Sequence, residues 1–244
     1  MFNKILFSNI CILLLLIPWH INAQNFTGTK GLVTIPSADF NESGELLFSI
    51  SSLDKRFNGV GEYKYNAVVG YLNFGFLPFM EVGLKLTYPF DHPRSALGDR
   101  TFYFRIKFIN ETENLPQIVL GVHDPIGPGG GDNAIHNNSL YLVATKHFAV
   151  SKMNDISLTL GYGSDLIKAE VHQFIGLFGG ASFDFLSHRQ TDSLFTIDYS
   201  LLLEYDAERF NGGVRITLFD HVKILAGLME MRYLSGGVSV SMKL

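Results

Sequence analysis

The fold is decided by residues 80–88, MEVGLKLTY, and residues 102–108, FYFRIKF. In both segments apolar side chains alternate with polar or small ones, which is the period of a β-strand with one apolar and one polar face. The same alternation recurs, between turns, in stretches of about ten residues from residue 45 to residue 244. The sequence therefore predicts an all-β chain.

The first 23 residues have the pattern of an export signal. Lys4 supplies a short positive region, residues 5–19 are apolar and almost uncharged, and Ala23 ends a small-residue cleavage site. The apolar run is too short for a committed transmembrane helix. Because the only cysteine, Cys11, lies in this run, cleavage leaves a chain without disulfides, cysteine nucleophiles or cysteine metal ligands.

Composition excludes a nucleic-acid partner and favours a barrel in lipid. Without Lys4 the chain has 18 basic and 23 acidic residues, a net charge of −5, so it lacks the basic field that attracts nucleic acid. Phe and Tyr number 31, and only 17% of residues are charged. No strong helical segment follows the leader to cover an apolar sheet face, and a closed barrel in lipid needs no cover. We therefore expect a closed antiparallel transmembrane β-barrel surrounded by outer-membrane lipid.

The alternation predicts about twelve strands, an even number as in single-chain bacterial barrels. The predicted strands lie near residues 45–53, 63–74, 79–88, 100–109, 116–123, 139–148, 155–163, 174–185, 194–205, 211–219, 222–231 and 235–243. In the first part of the chain, longer connections alternate with shorter ones. This alternation predicts that both chain ends and the tight turns face the periplasm and that the longer loops face outward.

The chain thus divides into a signal peptide, residues 1–23, an irregular segment, residues 24–44, and the barrel, residues 45–244. The irregular segment lacks sustained alternation and is punctuated by glycine and proline, among them Gly31 and Pro36. Three placements are open to it. It forms a plug in the lumen, it runs beneath the barrel, or it is an irregular periplasmic tail.

Polar residues of the alternating segments are predicted to face the lumen. An Arg or Lys facing the bilayer midplane would cost about 2–4 kcal/mol, so the charged positions must point inward. The candidate lumen-lining residues are Glu81, Lys85, Tyr103, Arg105 and Lys107. They either pack the lumen with ion pairs or line a water path.

Other polar residues stand at the outer ends of the predicted strands or in the loop of residues 124–138, which contains a glycine-rich stretch at residues 127–132. The candidates for the outer rim or for glycan contact are Asp99, Arg100, His123, Asp124, Asp132 and His136. Binding often resides on outer loops of a rigid scaffold, although a solvated rim is the plainer interpretation. The loop has neither the following helix nor the lysine of a phosphate cradle.

The sequence predicts no catalytic, cofactor or metal site. The histidines are scattered singly, without paired spacing on one strand. A serine hydrolase needs Ser and His in hydrogen-bond geometry with a third group. The only adjacent candidates, Ser182 and Ser187 near His188, lie close to a predicted turn. We therefore expect a protein that is not an enzyme.

Short sequence blocks along nearly the whole mature chain resemble one family. The blocks are residues 31–38 (GLVTIPSA), Gly44, residues 77–83 (LPFMEVG), 99–102 (DRTF), 115–116 (LP), 121–124 (GVHD), 141–146 (YLVATK), 161–163 (GYG), 178–180 (FGG) and 204–206 (EYD). Their order and spacing resemble the YjbH-like family of outer-membrane exopolysaccharide proteins. The resemblance implies an outer-membrane barrel of a Gram-negative bacterium, associated with production or export of an extracellular or capsular polysaccharide. It also implies polysaccharide and periplasmic export or biosynthesis components as partners.

Three functions are open to such a barrel. It is an accessory or conduit for polysaccharide export, a narrow porin for small solutes, or a structural barrel with a filled lumen whose loops or periplasmic partners do the work. A barrel fold alone does not choose between them, and the resemblance favours the first. About twelve strands leave a limited bore, so we expect a lumen too obstructed for free passage of a polymer.

Overall fold

Strands account for most of the residues that the structure describes. This structure is a computed structural model, and it describes residues 24–55, 65–90, 99–125, 138–151, 154–167, 172–186, 196–219 and 222–244. The predicted signal peptide lies outside these ranges. The strands are β1 (Glu45–Leu53), β2 (Ala67–Leu77), β3 (Met80–Pro89), β4 (Asp99–Ile109), β5 (Gln117–His123), β6 (Ser139–Ala149), β7 (Asn154–Ser164), β8 (Gly176–Phe185), β9 (Ile197–Tyr205), β10 (Phe210–Leu218), β11 (Val222–Met229) and β12 (Tyr233–Lys243).

These twelve strands form one closed antiparallel barrel. Each strand pairs with its neighbours in the chain, and β12 pairs with β1 to close the sheet. The predicted fold is therefore confirmed, and the predicted strand positions agree with the observed ones to within a few residues. The largest difference is at β2, which begins at Ala67 rather than near residue 63. The described residues include no helix long and apolar enough to cross a membrane, a finding that concerns helices alone.

The two ends of the barrel differ in their connections. We call the end that carries Gly44 and the last residue, Leu244, the terminal end; there the Leu244 amide donates to the Gly44 carbonyl at 2.9 Å. The opposite end is the loop end. Connections at the terminal end are mostly short, but the one between β8 and β9, residues 186–196, is longer than the last two connections at the loop end. The predicted alternation of loop lengths therefore holds only for the first part of the chain.

The outer face of the barrel is apolar. On β4, Phe102 is 62% exposed whereas the preceding Thr101 is 4% exposed, as the period-two pattern predicts. Large exposed aromatic side chains gather near the strand ends, as in barrels that span a membrane. Those near the terminal end include Phe48, Phe76, Phe79, Phe108, Phe148, Phe183, Phe185, Tyr199 and Phe219, and those near the loop end include Tyr88, Phe90, Phe102, Tyr162 and Phe210. An apolar exterior between two aromatic girdles is the surface of a barrel in lipid.

This register predicts which engineered cysteines face lipid. We expect Phe102→Cys to react with a lipid-soluble maleimide in reconstituted protein, and Thr101→Cys to stay unlabelled because its side chain points inward. Cysteine is close to threonine in volume, so Thr101→Cys is a matched control that should preserve the barrel. The reverse labelling pattern would require a one-residue slip of β4, since such a slip exchanges the two faces of a strand.

Part of the inner face is built from glycines covered by aromatic rings. Gly83 on β3 pairs with Tyr103 on β4, and Gly121 on β5 pairs with Tyr141 on β6. Each ring lies so close over its glycine that a Cβ atom there would overlap it. The rings therefore lie flat along the wall, and the centre of the lumen is left to another segment.

Candidate functional site: a plugged lumen

The segment that precedes β1 lies inside the barrel. Nearly all of residues 24–41 are buried, although none belongs to a barrel strand. Their hydrogen bonds reach inward-facing side chains on strands between β1 and β10. We call residues 24–41 the plug. The structure thus places this segment in the lumen rather than beneath the barrel.

Asn25 organises the plug from within. Its Oδ1 atom accepts hydrogen bonds from the amides of Thr27, Gly28 and Thr29, at 3.0–3.1 Å. Its Nδ2 atom donates to the carbonyls of Thr34 and Ile35, at 3.0 and 2.8 Å. A side-chain amide has both donors and acceptors, so one residue can join two stretches of irregular backbone. An aspartate in this position would lack the two donated bonds.

Glu204 on β9 holds the middle of the plug near the loop end. One of its carboxylate oxygens accepts from the amide of Val33 at 2.8 Å and the other from the amide of Thr34 at 2.8 Å. The amide of Ile35 and the amide side chain of Asn211 also donate to it, at 3.3 and 2.9 Å. Irregular backbone leaves buried amides without secondary-structure partners. A carboxylate satisfies them with charge-assisted bonds.

Arg105 and Glu81 form a buried ion pair against the last residues of the plug. Arg105 Nη1 lies 2.6 Å from Glu81 Oε1, and both side chains are fully buried. The guanidinium also donates to the carbonyls of Ser37 and Asp39, while Glu81 Oε2 accepts from the amide of Asn41 at 2.8 Å. The pair therefore connects β3 and β4 to three backbone groups of the plug.

Lys30 anchors the plug toward the terminal end. Its Nζ atom donates to the Phe40 carbonyl at 2.7 Å and lies 3.2 Å from Glu45 Oε2. Burial lowers the pKa of the Lys30 ammonium, and the Glu45 carboxylate opposes this effect. Because Glu45 begins β1, this contact fixes the plug to the strand that follows it.

Five further carbonyls of the plug accept hydrogen bonds from side chains of the wall. The donors and their acceptors are Tyr71 to Phe26, Asn73 and Tyr103 to Gly28, Gln117 to Ala38, and Arg215 to Gly31 and Leu32. These residues lie on β2, β4, β5 and β10. The wall therefore supports the plug from several sides.

Apolar side chains of the plug complete the packing in two clusters. Phe26 and Val33 pack with residues of β2, β9 and β11 such as Tyr71 and Leu225. The second cluster joins Leu32, Ile35, Ala38 and Phe40 to Val119, Tyr141, Val143, Phe174 and Phe178. Together the hydrogen bonds and the apolar contacts make the plug the core of the described barrel.

All five candidate lumen residues lie on the inner face. Tyr103 donates to the Gly28 carbonyl at 2.7 Å, and Lys85 is buried on β3. Lys107 is half-buried, with Nζ 5.1 Å from the centroid of the Phe40 ring. Glu81, Tyr103, Arg105 and Lys107 therefore contact the plug rather than line an open path.

The candidate rim residues differ in their exposure. Arg100 is exposed, but His123 and Asp124 are only 3% and 1% exposed. Asn138 donates to the carbonyls of both, and Tyr141 Oη lies 3.3 Å from His123 Nε2. The solvated rim is therefore wrong for His123 and Asp124, because the start of β6 and the aromatic wall cover them. Asp132, His136 and the side chain of Asp99 lie outside the described residues, so their predicted contact with glycan stays a prediction.

In the part of the chain that the structure describes, no side chains are arranged as a serine hydrolase site or a metal site. Ser182 Oγ donates to Asp184 Oδ1 at 2.7 Å, and Ser187 and His188 lie outside the described residues. Among the described side chains, no three of His, Cys, Asp and Glu are arranged to hold a metal ion. The expectation that the protein is not an enzyme stays a prediction.

Comparison with known proteins gives a family. No curated protein matches the chain. A solved structure described as "KdgM porin" has a TM-score of 0.48 and 11% sequence identity, over 82% of this chain and 99% of that chain. The family YjbH, described as "Exopolysaccharide biosynthesis protein YbjH", matches residues 23–235, which is most of the chain. The protein therefore belongs to the YjbH family of exopolysaccharide biosynthesis proteins.

Proposed function

We propose that this protein is a non-catalytic accessory barrel of the outer membrane that supports production or export of an exopolysaccharide. The observation that carries the proposal is membership of the YjbH family over residues 23–235. The apolar exterior with its two aromatic girdles supports a place in a membrane, and barrels of this kind occur in bacterial outer membranes. The partners under this proposal are lipid, polysaccharide and periplasmic export or biosynthesis components. The signal peptide is removed on export.

The plug favours an accessory role over a conduit or a porin. A polymer or solute crossing the lumen would have to displace backbone held by Glu204, Arg105 and Lys30. Each of these bonds is buried, so a partly displaced plug leaves charged groups without partners. The geometry therefore supports a barrel whose lumen stays closed while it works.

Deletion of the gene is expected to change the amount or the surface location of an exopolysaccharide. Uptake of small nutrients should not change, because the closed lumen supplies no path for them. Glycan staining and fractionation of the cell surface measure the amount and location of the exopolysaccharide. Growth on limiting carbon sources measures nutrient uptake. Unchanged surface glycans would contradict the polysaccharide role, and slower nutrient uptake would favour a porin.

An engineered disulfide between the plug and the barrel wall distinguishes an accessory barrel from a conduit. The Ala38 amide of the plug donates to Thr145 Oγ1 of β6 at 2.8 Å, so Ala38→Cys and Thr145→Cys place two thiols close together. The mature chain has no other cysteine if residues 1–23 are removed. We expect the oxidised double variant to support a normal surface polysaccharide, like each single variant. Loss of polysaccharide on oxidation, restored by a reductant, would show that the plug must move and would favour a conduit.

A further inference from the structure

The first residue of the predicted mature chain is a glutamine that lies inside the barrel. Cleavage after Ala23, the end of the predicted signal peptide, leaves Gln24 with a free α-amino group. Gln24 is 4% exposed and forms an isolated antiparallel bridge with Lys30. The amide of the next residue, Asn25, donates to the Thr29 carbonyl at 2.8 Å. The mature chain therefore begins within the plug, and its terminus is enclosed by the wall.

The side-chain amide of Gln24 contributes little to the plug. Its Nε2 atom donates to the Gly28 carbonyl, which also accepts from Asn73 Nδ2 and, at 2.7 Å, from Tyr103 Oη. A carbonyl oxygen has two lone pairs, so Asn73 and Tyr103 satisfy it without the glutamine. The Oε1 atom of Gln24 is buried and has no hydrogen-bond partner among the described residues. The fold therefore does not depend on an intact side-chain amide at this position.

A free α-ammonium group at Gln24 would add a cation to a closed space. Of the three carboxylates that act on Lys30, Glu81 and Asp39 have other partners, and Glu45 keeps one oxygen, Oε1, without a described partner. Burying a charge is costly even when it is paired. Two arrangements avoid an unpaired charge here: an ammonium bound to Glu45 Oε1, or a terminus that has lost its charge.

We propose that Gln24 is converted to pyroglutamate, so that the mature plug begins with a neutral five-membered lactam buried in the lumen. An N-terminal amine loses its proton near neutral pH, so the reactive form is available. The α-nitrogen attacks Cδ of its own side chain and forms a bond to it. The bond from Cδ to Nε2 breaks, and Nε2 leaves as ammonia with one proton from the α-nitrogen. The step needs no oxidant, reductant or second reactant, and it removes the terminal charge.

Ring closure must come before the plug packs. In the folded barrel Nε2 of Gln24 is held by the Gly28 carbonyl, and the residue is enclosed. The interval between removal of the signal peptide and closure of the barrel meets this condition. The inference therefore rests on one part of the proposed function, the removal of the signal peptide on export, and not on the role in exopolysaccharide production.

Mass spectrometry of the full-length protein, expressed with its own leader and purified from the membrane, tests the proposal. The unfolded chain is treated with an amine-reactive label directly after purification, so that a ring formed during later digestion is not counted. We expect an unlabelled N-terminal peptide that begins with pyroglutamate, and an intact mass before labelling equal to that of residues 24–244 less one ammonia molecule. Gln24→Ala is the matched control, because it cannot form the ring and should be labelled at its terminus.

The outcomes against the proposal are distinct. A chain that begins at Gln24 with a labelled amine would overturn this inference alone and would favour an ammonium on Glu45. A chain that begins at another residue would also overturn it. A chain that keeps residues 1–23 would contradict the removal of the signal peptide as well.

Pyroglutamyl aminopeptidase measures whether the lactam is buried. Proteolysis requires an accessible or locally unfolded segment. The folded barrel should therefore keep its pyroglutamate during prolonged treatment. A synthetic peptide of residues 24–41 with the same lactam is the accessible control and should lose it. Removal from the folded barrel at the rate seen for the peptide would contradict a terminus enclosed in the lumen.

Discussion

Removal of the plug is expected to turn a closed barrel into a conducting one. Replacing residues 26–41 by a short glycine–serine linker keeps the leader junction and takes away the backbone that Glu204, Arg105 and Arg215 hold. The wall side chains would then face water, because a flexible linker of this composition does not fill a defined volume. We expect large, steady conductance in planar bilayers, and none from the full-length protein.

Two controls accompany this measurement. Heat-modifiable mobility in a denaturing gel shows whether the linker variant forms the barrel. The oxidised Ala38→Cys/Thr145→Cys variant keeps the plug fixed and should remain closed. If the full-length protein conducts as well as the linker variant, the plug does not close the lumen. If the folded linker variant does not conduct, the side chains of the wall close it without the plug.

Loss of Arg105 alone is expected to destabilise the barrel by about 3–5 kcal/mol, the usual cost of removing one member of a buried ion pair. In Arg105→Met, Glu81 stays buried without its cation, and the carbonyls of Ser37 and Asp39 lose their donor. Arg105→Met/Glu81→Met replaces both charges with apolar side chains. It should therefore cost much less than the single variant.

Urea unfolding of the reconstituted protein, followed by far-ultraviolet circular dichroism, measures these differences. Lys243→Met is the surface control, because its partly exposed pair with Glu42 is worth about 0–1 kcal/mol. Equal destabilisation in the single and the double Arg105 variants would mean that the contacts with the plug, rather than the buried charge of Glu81, dominate. A negligible effect of Arg105→Met would contradict the role of this pair.

The predictions from the sequence were most accurate where one local rule determines the structure. Alternation alone predicts the inner and outer faces, so Phe102 outside and Arg105 inside follow from the chain. The number of strands also follows, since each alternating stretch ends in turn residues. The family resemblance needed only short blocks of sequence, and the match over residues 23–235 confirms it.

Several residues that hold the plug were missed. Glu204 is included in the sequence analysis only in a block that resembles the family, although its place in the segment LLLEY marks a charge inside an apolar strand. Asn25 and Lys30 lie in irregular sequence, where neither period two nor period 3.6 gives a face. The sequence predicts a solvated rim for His123 and Asp124, because strand ends usually reach water. In the fold, Asn138 and the aromatic wall cover them.

The sequence by itself determined a barrel with an apolar outer face, the side chains that form this face and the inward direction of the charges, because these depend on side-chain alternation within single strands. Only the tertiary structure decided that residues 24–41 fill the lumen. The choice between plug and tail depends on whether an irregular backbone finds partners for its amides and carbonyls. Those partners, Glu204 and Arg105 among them, lie on strands far away in the chain and meet the plug only after the barrel has closed.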